Sequence, residues 1–142
     1  MKGSCLCGDV RFEVSLERLG MFQCHCQLCR KQAGTASSCG AIVETCDFHW
    51  LSGESRIGKW EKESGFSSHF CKRCGSSVPN QFRDSGLYWI PVGLLDDSTM
   101  VTVANLFVDE KVSWSNVDSS VNPHQTKPRV DSLIRSVLKE NH

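Results

Sequence analysis

Seven of the nine cysteines in this chain of 142 residues fall into three short clusters. Thiolates are soft ligands that select zinc, copper(I) or iron–sulfur clusters. Two pairs of cysteines can form a closed site with four sulfur ligands, whereas a group of three leaves one coordination position open. Closed sites stabilise folds and open sites do chemistry, so the pattern predicts an enzyme. The clusters are a CxC pair (Cys5, Cys7), a CxCxxC group (Cys24, Cys26, Cys29) and a CxxC pair (Cys71, Cys74).

The CxxC pair, in Cys71-Lys72-Arg73-Cys74-Gly75, is the strongest local signal for a metal. In such a loop both sulfurs face one ion, and the glycine after the second ligand supplies a permissive backbone. A redox-active CxxC is the competing interpretation, but that motif belongs at the start of a helix. The residues that follow Cys74, Gly75-Ser76-Ser77-Val78-Pro79, form helices poorly, which favours the metal.

The CxC pair is expected to complete this site, because one CxxC supplies two ligands and a structural zinc needs four. Residues i and i+2 of an extended strand lie about 7 Å apart, which is too far for two sulfurs to share an ion. The backbone at Cys5 and Cys7 must therefore bend, and Gly8 lies where a bend is easy. Two buried, reduced thiols acting as small hydrophobic side chains are the alternative.

The CxCxxC group predicts a second metal site with an open position. Three thiolates on one zinc leave roughly one net negative charge, so the ion is a weaker Lewis acid than one held by three histidines. It can still bind and deprotonate a thiol, which makes a nucleophilic thiolate. Arg30 and Lys31 follow the last ligand and either offset the negative charge or form a solvated helix face.

Two alternatives remain for the CxCxxC group. Cys39 or Cys46 could supply a fourth sulfur and make the site structural, but both are isolated in the sequence and are expected to be unligated thiols in or near strands. An iron–sulfur cluster is the second alternative, although the spacing matches neither of the common ferredoxin patterns.

Other residues that can bind metal or act as bases carry weaker signals. The histidines are more often surface or core residues than ligands, and His25, between two cysteines, is expected to point away from the ion. The tryptophans are expected to lie in the core or in a pocket wall. The residues concerned are His25, His49, His69 and His124, and Trp50, Trp60, Trp89 and Trp114.

The composition of the chain argues against two classes of binding partner. Sixteen basic and sixteen acidic residues and a pI near 6.9 argue against nucleic-acid or membrane-surface binding. The N-terminus lacks the apolar stretch of a signal peptide, and no apolar run is long enough to span a bilayer. We therefore expect a cytoplasmic protein with reduced thiols. The absence of GxGxxG, P-loop, GxSxG and HExxH motifs removes the common nucleotide, serine-hydrolase and zincin interpretations.

Short alternating segments separated by glycine and serine predict a mainly antiparallel β domain with minor helix. One or two helical turns are expected over Gln27 to Ala33, ending at Gly34, and a short amphipathic helix around Leu133 to Leu138. The predicted strands are Val10 to Val14, Ala41 to Glu44, Phe48 to Leu51, Phe66 to Phe70, Leu87 to Val92 and Asn105 to Val108.

The order of the three motifs resembles the glutathione-dependent formaldehyde-activating enzyme family, which includes centromere protein V. The opening Gly3-Ser4-Cys5-Leu6-Cys7-Gly8, the central Cys24-His25-Cys26-Gln27-Leu28-Cys29-Arg30-Lys31 and the later Phe70-Cys71-Lys72-Arg73-Cys74-Gly75 carry the likeness. It extends over residues 3 to 118. Asn105 stands where many relatives have histidine.

The resemblance implies an Mss4-like fold, in which two layers of antiparallel sheet are clasped by zinc. We expect a single domain over residues 1–142, with its core at about 3–118 and a C-terminal extension with a short helix at 119–142. The resemblance assigns two zinc ions: a structural one to Cys5, Cys7, Cys71 and Cys74, and a catalytic one to Cys24, Cys26 and Cys29.

The family's named activity condenses glutathione with formaldehyde to S-(hydroxymethyl)glutathione. The implied function is a carbon–sulfur lyase that acts on a small thiol, with glutathione as the leading candidate, and on formaldehyde or a related aldehyde. The alternative is a zinc-stabilised binding module without catalysis, as the Mss4-like fold and centromere protein V suggest. The intact CxCxxC group favours the enzyme, because a scaffold has no need of an open site. Oligomeric state is not predicted.

Overall fold

The computed structural model describes residues 1–96, 99–118, 120–121, 123–124 and 130–142. Its short elements follow one another in the order β1 (Lys2–Ser4), β2 (Arg11–Val14), β3 (Arg18–Cys24), α1 (Gln27–Ala33), β4 (Ser38–Glu44), β5 (Phe48–Ser52), β6 (Ile57–Glu61), β7 (Ser67–Cys71), β8 (Asn80–Gln81), β9 (Leu87–Pro91), β10 (Thr99–Leu106), β11 (Pro123–His124) and α2 (Val130–Asn141).

The chain forms two compact units, each built from two separate stretches of sequence. Unit 1 contains Met1–Glu17 and Val43–Ser98, and unit 2 contains Arg18–Ile42 and Thr99–His142. The CxC and CxxC pairs belong to unit 1, and the CxCxxC group belongs to unit 2. The single domain over residues 1–142 stays a prediction.

Unit 1 is a set of antiparallel ribbons. Strands β1, β2 and β5 form one sheet in that order, β6 pairs with β7, and β8 pairs with β9. Alternation along β2 buries Phe12 and Val14 completely. Phe48 of β5 stacks on Phe12 at a centroid distance of 5.7 Å and on Tyr88 of β9 at 4.1 Å. This aromatic cluster holds β2, β5 and β9 together. The core at the two cysteine pairs is formed by the buried Cys5, Val10, Cys71 and Val78.

Unit 2 contains a sheet in the order β11-β10-β3-β4. Strands β3 and β4 are antiparallel, whereas β10 is parallel both to β3 and to β11. The parallel pairs are a departure from the expected antiparallel arrangement, and they arise because the chain returns to β3 only after a long crossover. Helix α2 packs on β3 at Gly20, where an added Cβ would lie 2.8 Å from the Val137 carbonyl oxygen.

The mainly β class is confirmed. Helix α1 has the predicted bounds and ends at Gly34, whose φ of +67° is the left-handed conformation of a helix terminus. The short C-terminal helix is also confirmed, as α2. The predicted strands all overlap observed ones, with shifts at their ends. Val92 and Val108, expected to end strands, instead begin turns of 3-10 helix.

The expectation for the tryptophans was wrong at two positions. Trp60 is 56% exposed and Trp114 is 71% exposed, so neither lies in the core. Trp60 lies on the two-stranded ribbon of β6 and β7, which is too narrow to cover both of its faces. In contrast, Trp50 packs edge-on against Phe48 at 4.8 Å.

No helix within the described residues is both long enough and apolar enough to cross a membrane.

Candidate metal centres

The first centre brings four sulfurs of unit 1 together. The Sγ atoms of Cys5, Cys7, Cys71 and Cys74 all lie within 4.8 Å of one another. Two of the separations are 3.6 Å, between Cys5 and Cys7, and 3.8 Å, between Cys7 and Cys71. Four sulfurs at about 2.3 Å from a tetrahedral zinc would lie about 3.8 Å apart. The donor set and its spacing therefore fit a tetrahedral zinc ion.

Two tight turns place these sulfurs. In the first, the Gly8 N–H donates to the Cys5 carbonyl at 3.0 Å, and Gly8 has a φ of +79°. In the second, the Gly75 N–H donates to the Cys71 carbonyl at 2.8 Å, and Gly75 has a φ of +78°. Glycine adopts this left-handed conformation without steric cost. The predicted bend between the first two cysteines is thus present, and the CxxC pair lies in a turn rather than at a helix start.

Hydrogen bonds from the protein reach these sulfurs, including those of Cys5 and Cys74. The Val10 N–H donates to Cys5 Sγ at 3.3 Å. Ser76 Oγ lies 3.3 Å from Cys74 Sγ and accepts the Leu6 N–H at 3.0 Å, so its own hydrogen is free to point at the sulfur. This contact with Ser76 lowers the pKa of the Cys74 thiol to about 5. Donors aimed at a sulfur favour the thiolate, which is the form that binds metal.

The first centre is buried on its inner side and open at its tip. Cys5 and Cys71 are almost fully buried, whereas Leu6 between the first two cysteines is 86% exposed. Across the surface, Arg73 Nη1 pairs with Asp9 Oδ1 at 2.9 Å and joins the two turns.

The second centre lies in unit 2, where β3 leads into α1. Cys24 is the last residue of β3 and is buried. Cys26 is the N-cap of α1, and its sulfur accepts the Cys29 N–H at 3.4 Å. The sulfurs of Cys24, Cys26 and Cys29 lie within 4.8 Å of one another, and no further His, Cys, Asp or Glu of the described residues joins the group. The arrangement can hold a metal with three sulfurs and leave a position for another ligand.

Charge is distributed unevenly over these three thiols. A hydrogen bond from the Cys29 thiol lowers the pKa of Cys24 to about 7. Burial raises the pKa of Cys26, and the hydrogen bond with Cys24, followed by burial, raises that of Cys29. Cys24 thus favours the thiolate while its two neighbours favour the protonated thiol. This is expected because three adjacent negative charges repel one another in the absence of a cation. A bound cation would reverse this, because metal ligation deprotonates thiols.

The loop of the second centre is held by neighbouring side chains. His25 is buried, and its Nε2 lies 3.2 Å from Oδ1 of the buried Asn105. The Gln27 N–H donates to Glu110 Oε2 at 2.9 Å. Arg30 Nε donates to the His25 carbonyl at 3.2 Å. His25 is not part of the three-cysteine group.

The remaining candidates lie outside both centres. Cys39 is part of β4, opposite Gln23, and Cys46 is exposed in a turn of 3-10 helix, so neither joins the three-cysteine group. Cys46 instead lies with Glu44 and Asp47 in an exposed group. His49 is exposed, and His69 and His124 are partly buried away from the described cysteine groups.

Three residues with functional contacts were not found from the sequence. Ser76 directly follows the Cys74-Gly75 pair, so a search for donors beside the CxxC motif would have found it. Asn105 and Glu110 are 80 and 83 residues from their partners His25 and Gln27, and only the strand pairing brings them together.

Comparison with known proteins gives a consistent result. Residues 1–110 match the family described as glutathione-dependent formaldehyde-activating enzyme. A Halomonas elongata protein named "Putative glutathione-dependent formaldehyde-activating enzyme" is 33% identical over 84 residues, which cover 55% of this chain and 54%, about half, of that relative. A Schizosaccharomyces pombe protein named as an uncharacterized lyase is 21% identical over 140 residues, which are 97% of each chain.

Among solved structures, the crystal structure of a Rhodobacter sphaeroides protein superposes with a TM-score of 0.53 at 21% sequence identity. The superposition covers 71% of this chain and all 100% of that one, which supports the fold. The family match covers well over half of the sequence and includes all seven clustered cysteines. The chain therefore belongs to the glutathione-dependent formaldehyde-activating enzyme family.

Proposed function

We propose that this protein is a zinc-dependent carbon–sulfur lyase that condenses a small thiol with formaldehyde or a related aldehyde to give a hemithioacetal. Glutathione is the leading candidate for the thiol. In this proposal Cys5, Cys7, Cys71 and Cys74 hold a structural zinc, and Cys24, Cys26 and Cys29 hold a catalytic zinc. The names of the Halomonas and Schizosaccharomyces relatives support this class of reaction.

The observation that carries the proposal is the incomplete ligand set of the second centre. Three sulfurs lie within 4.8 Å of one another, and no fourth His, Cys, Asp or Glu of the described residues lies within that distance of all three. Zinc prefers four ligands, and catalytic zinc sites use three protein ligands and one exchangeable position. Cys24, Cys26 and Cys29 would hold the zinc, which when bound would supply an open position that lowers the pKa of a thiol, so that the thiol could react as a thiolate.

The residues of the chain contribute position and charge. The helix N-cap at Cys26 fixes two of the sulfurs relative to each other, because the Cys26 sulfur accepts the Cys29 N–H. The third sulfur, on Cys24, is fixed by the end of β3, which is hydrogen-bonded on both sides to β4 and β10. Arg30 and Lys31 place positive charge in the last turn of α1, where an anionic thiol substrate is attracted.

The chemistry balances without an added oxidant or reductant. The substrate sulfur forms a bond to the aldehyde carbon, and the π electrons of the carbonyl move to its oxygen. That oxygen takes up a proton equivalent to the one the thiol gave up. Holding the thiol in one place raises the effective concentration of the nucleophile, so the reaction depends less on the encounter of two dilute solutes. The reverse reaction breaks the same carbon–sulfur bond, which makes the activity that of a lyase.

Ligation by cysteine requires reduced thiols, and all nine cysteines are free in the structure. The proposal includes a cytoplasmic location, where thiols stay reduced. The proposal includes no nucleic-acid partner and no membrane, because the balance of charge provides no general basic surface.

Two-dimensional exchange NMR at equilibrium measures how fast glutathione and formaldehyde interconvert with their adduct. We expect acceleration by the zinc-loaded protein, loss of acceleration in Cys29→Ser and no change in Cys46→Ser, whose thiol is exposed and outside both centres. No acceleration by the wild-type protein, with two zinc ions bound, would favour the binding module instead.

A further inference from the structure

His25, which lies between two cysteines of the second centre, makes three hydrogen bonds. The His25 main-chain N–H donates to the Leu106 carbonyl at 2.9 Å, and its carbonyl accepts from Arg30 Nε at 3.2 Å. Its ring, 1% exposed, places Nε2 3.2 Å from Asn105 Oδ1. The path of the chain from Cys24 to Cys26 is therefore fixed by contacts of His25 rather than by the sulfurs alone.

The contacts of Asn105 determine the direction of its bond to His25. Asn105 Nδ2 lies 3.2 Å from the carbonyl oxygens of both Asp118 and Val121. Carbonyl oxygens only accept hydrogen bonds, so the amide NH2 must face them and Oδ1 must face the histidine. The bond therefore runs from a protonated Nε2 of His25 to Oδ1 of Asn105. An amide that is satisfied at both ends in this way has one orientation, and its Oδ1 holds the ring at Nε2, since the buried Nδ1 has no hydrogen-bond partner among the described residues.

We propose that Asn105 is a positioning residue, and that its bond to His25 preforms the three-cysteine loop for its metal. This inference rests on the metal occupancy in the proposed function. Asn105 lies on β10, which pairs with β3, so a side chain from the adjacent strand shapes the loop that follows β3. The loop is thus ordered on folding, before a metal binds, and binding loses less conformational entropy than it would for a mobile loop.

Contacts that orient metal ligands indirectly typically change metal affinity by about 10- to 100-fold. Asn105→Leu keeps the number and branching of the side-chain heavy atoms and removes both the acceptor and the donors. Zinc-loaded, full-length protein is dialysed against buffers of graded free zinc, and bound zinc is counted. We expect the second ion of Asn105→Leu to leave at a free zinc concentration about 10- to 100-fold higher than in the wild type. The first ion should leave at the same concentration in both.

Asn141 provides a matched control in the same unit. It is also buried, at 7% exposure, and it accepts the Gly20 N–H at 2.8 Å and donates to the Ile42 carbonyl at 3.1 Å. Asn141→Leu therefore removes a comparable buried amide whose bonds do not reach the cysteine loop. We expect it to lower thermal stability but to leave both zinc-loading midpoints unchanged.

Two substitutions at His25 distinguish a role in positioning the cysteine loop from a general effect on stability. The side-chain amide of His25→Gln can present an N–H near the position of Nε2, whereas His25→Leu cannot. We expect zinc loading of the glutamine variant to resemble that of the wild type and the leucine variant to resemble Asn105→Leu. After cobalt substitution, the visible ligand-field bands of the second centre should change in Asn105→Leu and stay constant in Asn141→Leu.

Several results would overturn the inference. A second zinc bound by Asn105→Leu as tightly as by the wild type would overturn it and leave the proposed function standing. If the zinc-loading midpoint of the second ion shifted equally in Asn141→Leu, Asn105 would be only a general stabilising residue, which would overturn the inference. If Asn105→Leu does not fold, equal zinc loading of His25→Gln and His25→Leu would overturn the inference. A wild-type protein that never holds a second zinc would overturn both the inference and the proposed function.

Discussion

The two cysteine centres are built in opposite ways. The centre of unit 1 gathers four sulfurs from two turns that are far apart in the sequence, and Cys7 and Cys71 are separated by 64 residues. The centre of unit 2 takes three sulfurs from one short stretch between a strand and a helix. A metal that joins distant segments closes a long loop and stabilises the fold, whereas a metal held by a local loop adds little cross-linking. The difference supports the proposal that the first centre serves the fold and the second serves chemistry.

The surroundings of the two centres support the same division. In unit 1 the sulfurs receive hydrogen bonds from nearby residues in the same turns, such as Val10 and Ser76. In unit 2 the loop is held by a buried network that starts at Asn105 on another strand. Four sulfurs form a closed site, while three sulfurs leave room for a substrate.

The largest expected effect tests the structural half of this comparison. Cys71→Ser removes a fully buried ligand of the first centre. A structural zinc contributes on the order of 10 kcal/mol to folding in small sites, so the variant should be unfolded or insoluble. Far-UV circular dichroism, soluble yield and zinc content check this, with Cys46→Ser as the control that should resemble the wild type. A folded, soluble Cys71→Ser protein would contradict the structural role.

A smaller effect on stability is expected at the second centre. Cys29→Ser removes one of three ligands from a local loop. The variant should remain folded and retain one zinc ion, because the loop is ordered by α1 and by its contacts with neighbouring side chains. Elemental analysis and circular dichroism measure both quantities. Loss of solubility equal to that of Cys71→Ser would mean that both centres are structural.

The smallest effect concerns a residue beside the sulfurs. Ser76→Ala removes the hydroxyl that contacts Cys74 Sγ and accepts the Leu6 N–H. Since a typical hydrogen bond contributes about 1 kcal/mol, the free energy of unfolding should fall by about 1–2 kcal/mol, with both zinc ions retained. Urea unfolding measures the change, and Ser64→Ala at an exposed turn should show almost none. Loss of the zinc from Ser76→Ala would show that the hydroxyl is required for ligation.

The parts of this protein that are local in sequence could be predicted from it. The two turns of the first centre follow from glycine after each cysteine pair, and α1 follows from a short helical pattern that ends at Gly34. Both depend on residues within a few positions of one another. The assignment of the cysteines to two groups also agrees with the structure, because the number of ligands that a metal requires leaves few ways to pair them.

The parts that depend on distant contacts could not be predicted. Strand β3 was missed because Gly20 interrupts its pattern, and the reason for that glycine is helix α2, more than a hundred residues later. The same holds for β6, where Gly58 makes room for the Phe70 ring of β7. The sequence shows Asn105 only as a departure from the family pattern, because it is the parallel pairing of β3 and β10 that places it against His25. Each case requires knowledge of a partner that the local sequence does not contain.

The comparison between a closed and an open centre is tested most directly by a titration of cobalt-substituted protein with glutathione. Charge-transfer bands from thiolate to cobalt report each new sulfur ligand. We expect these bands to grow on addition of millimolar glutathione to the wild-type protein and to Cys46→Ser, and to stay constant in Cys29→Ser, which keeps only the closed centre. An unchanged wild-type spectrum, with both ions bound, would contradict the account.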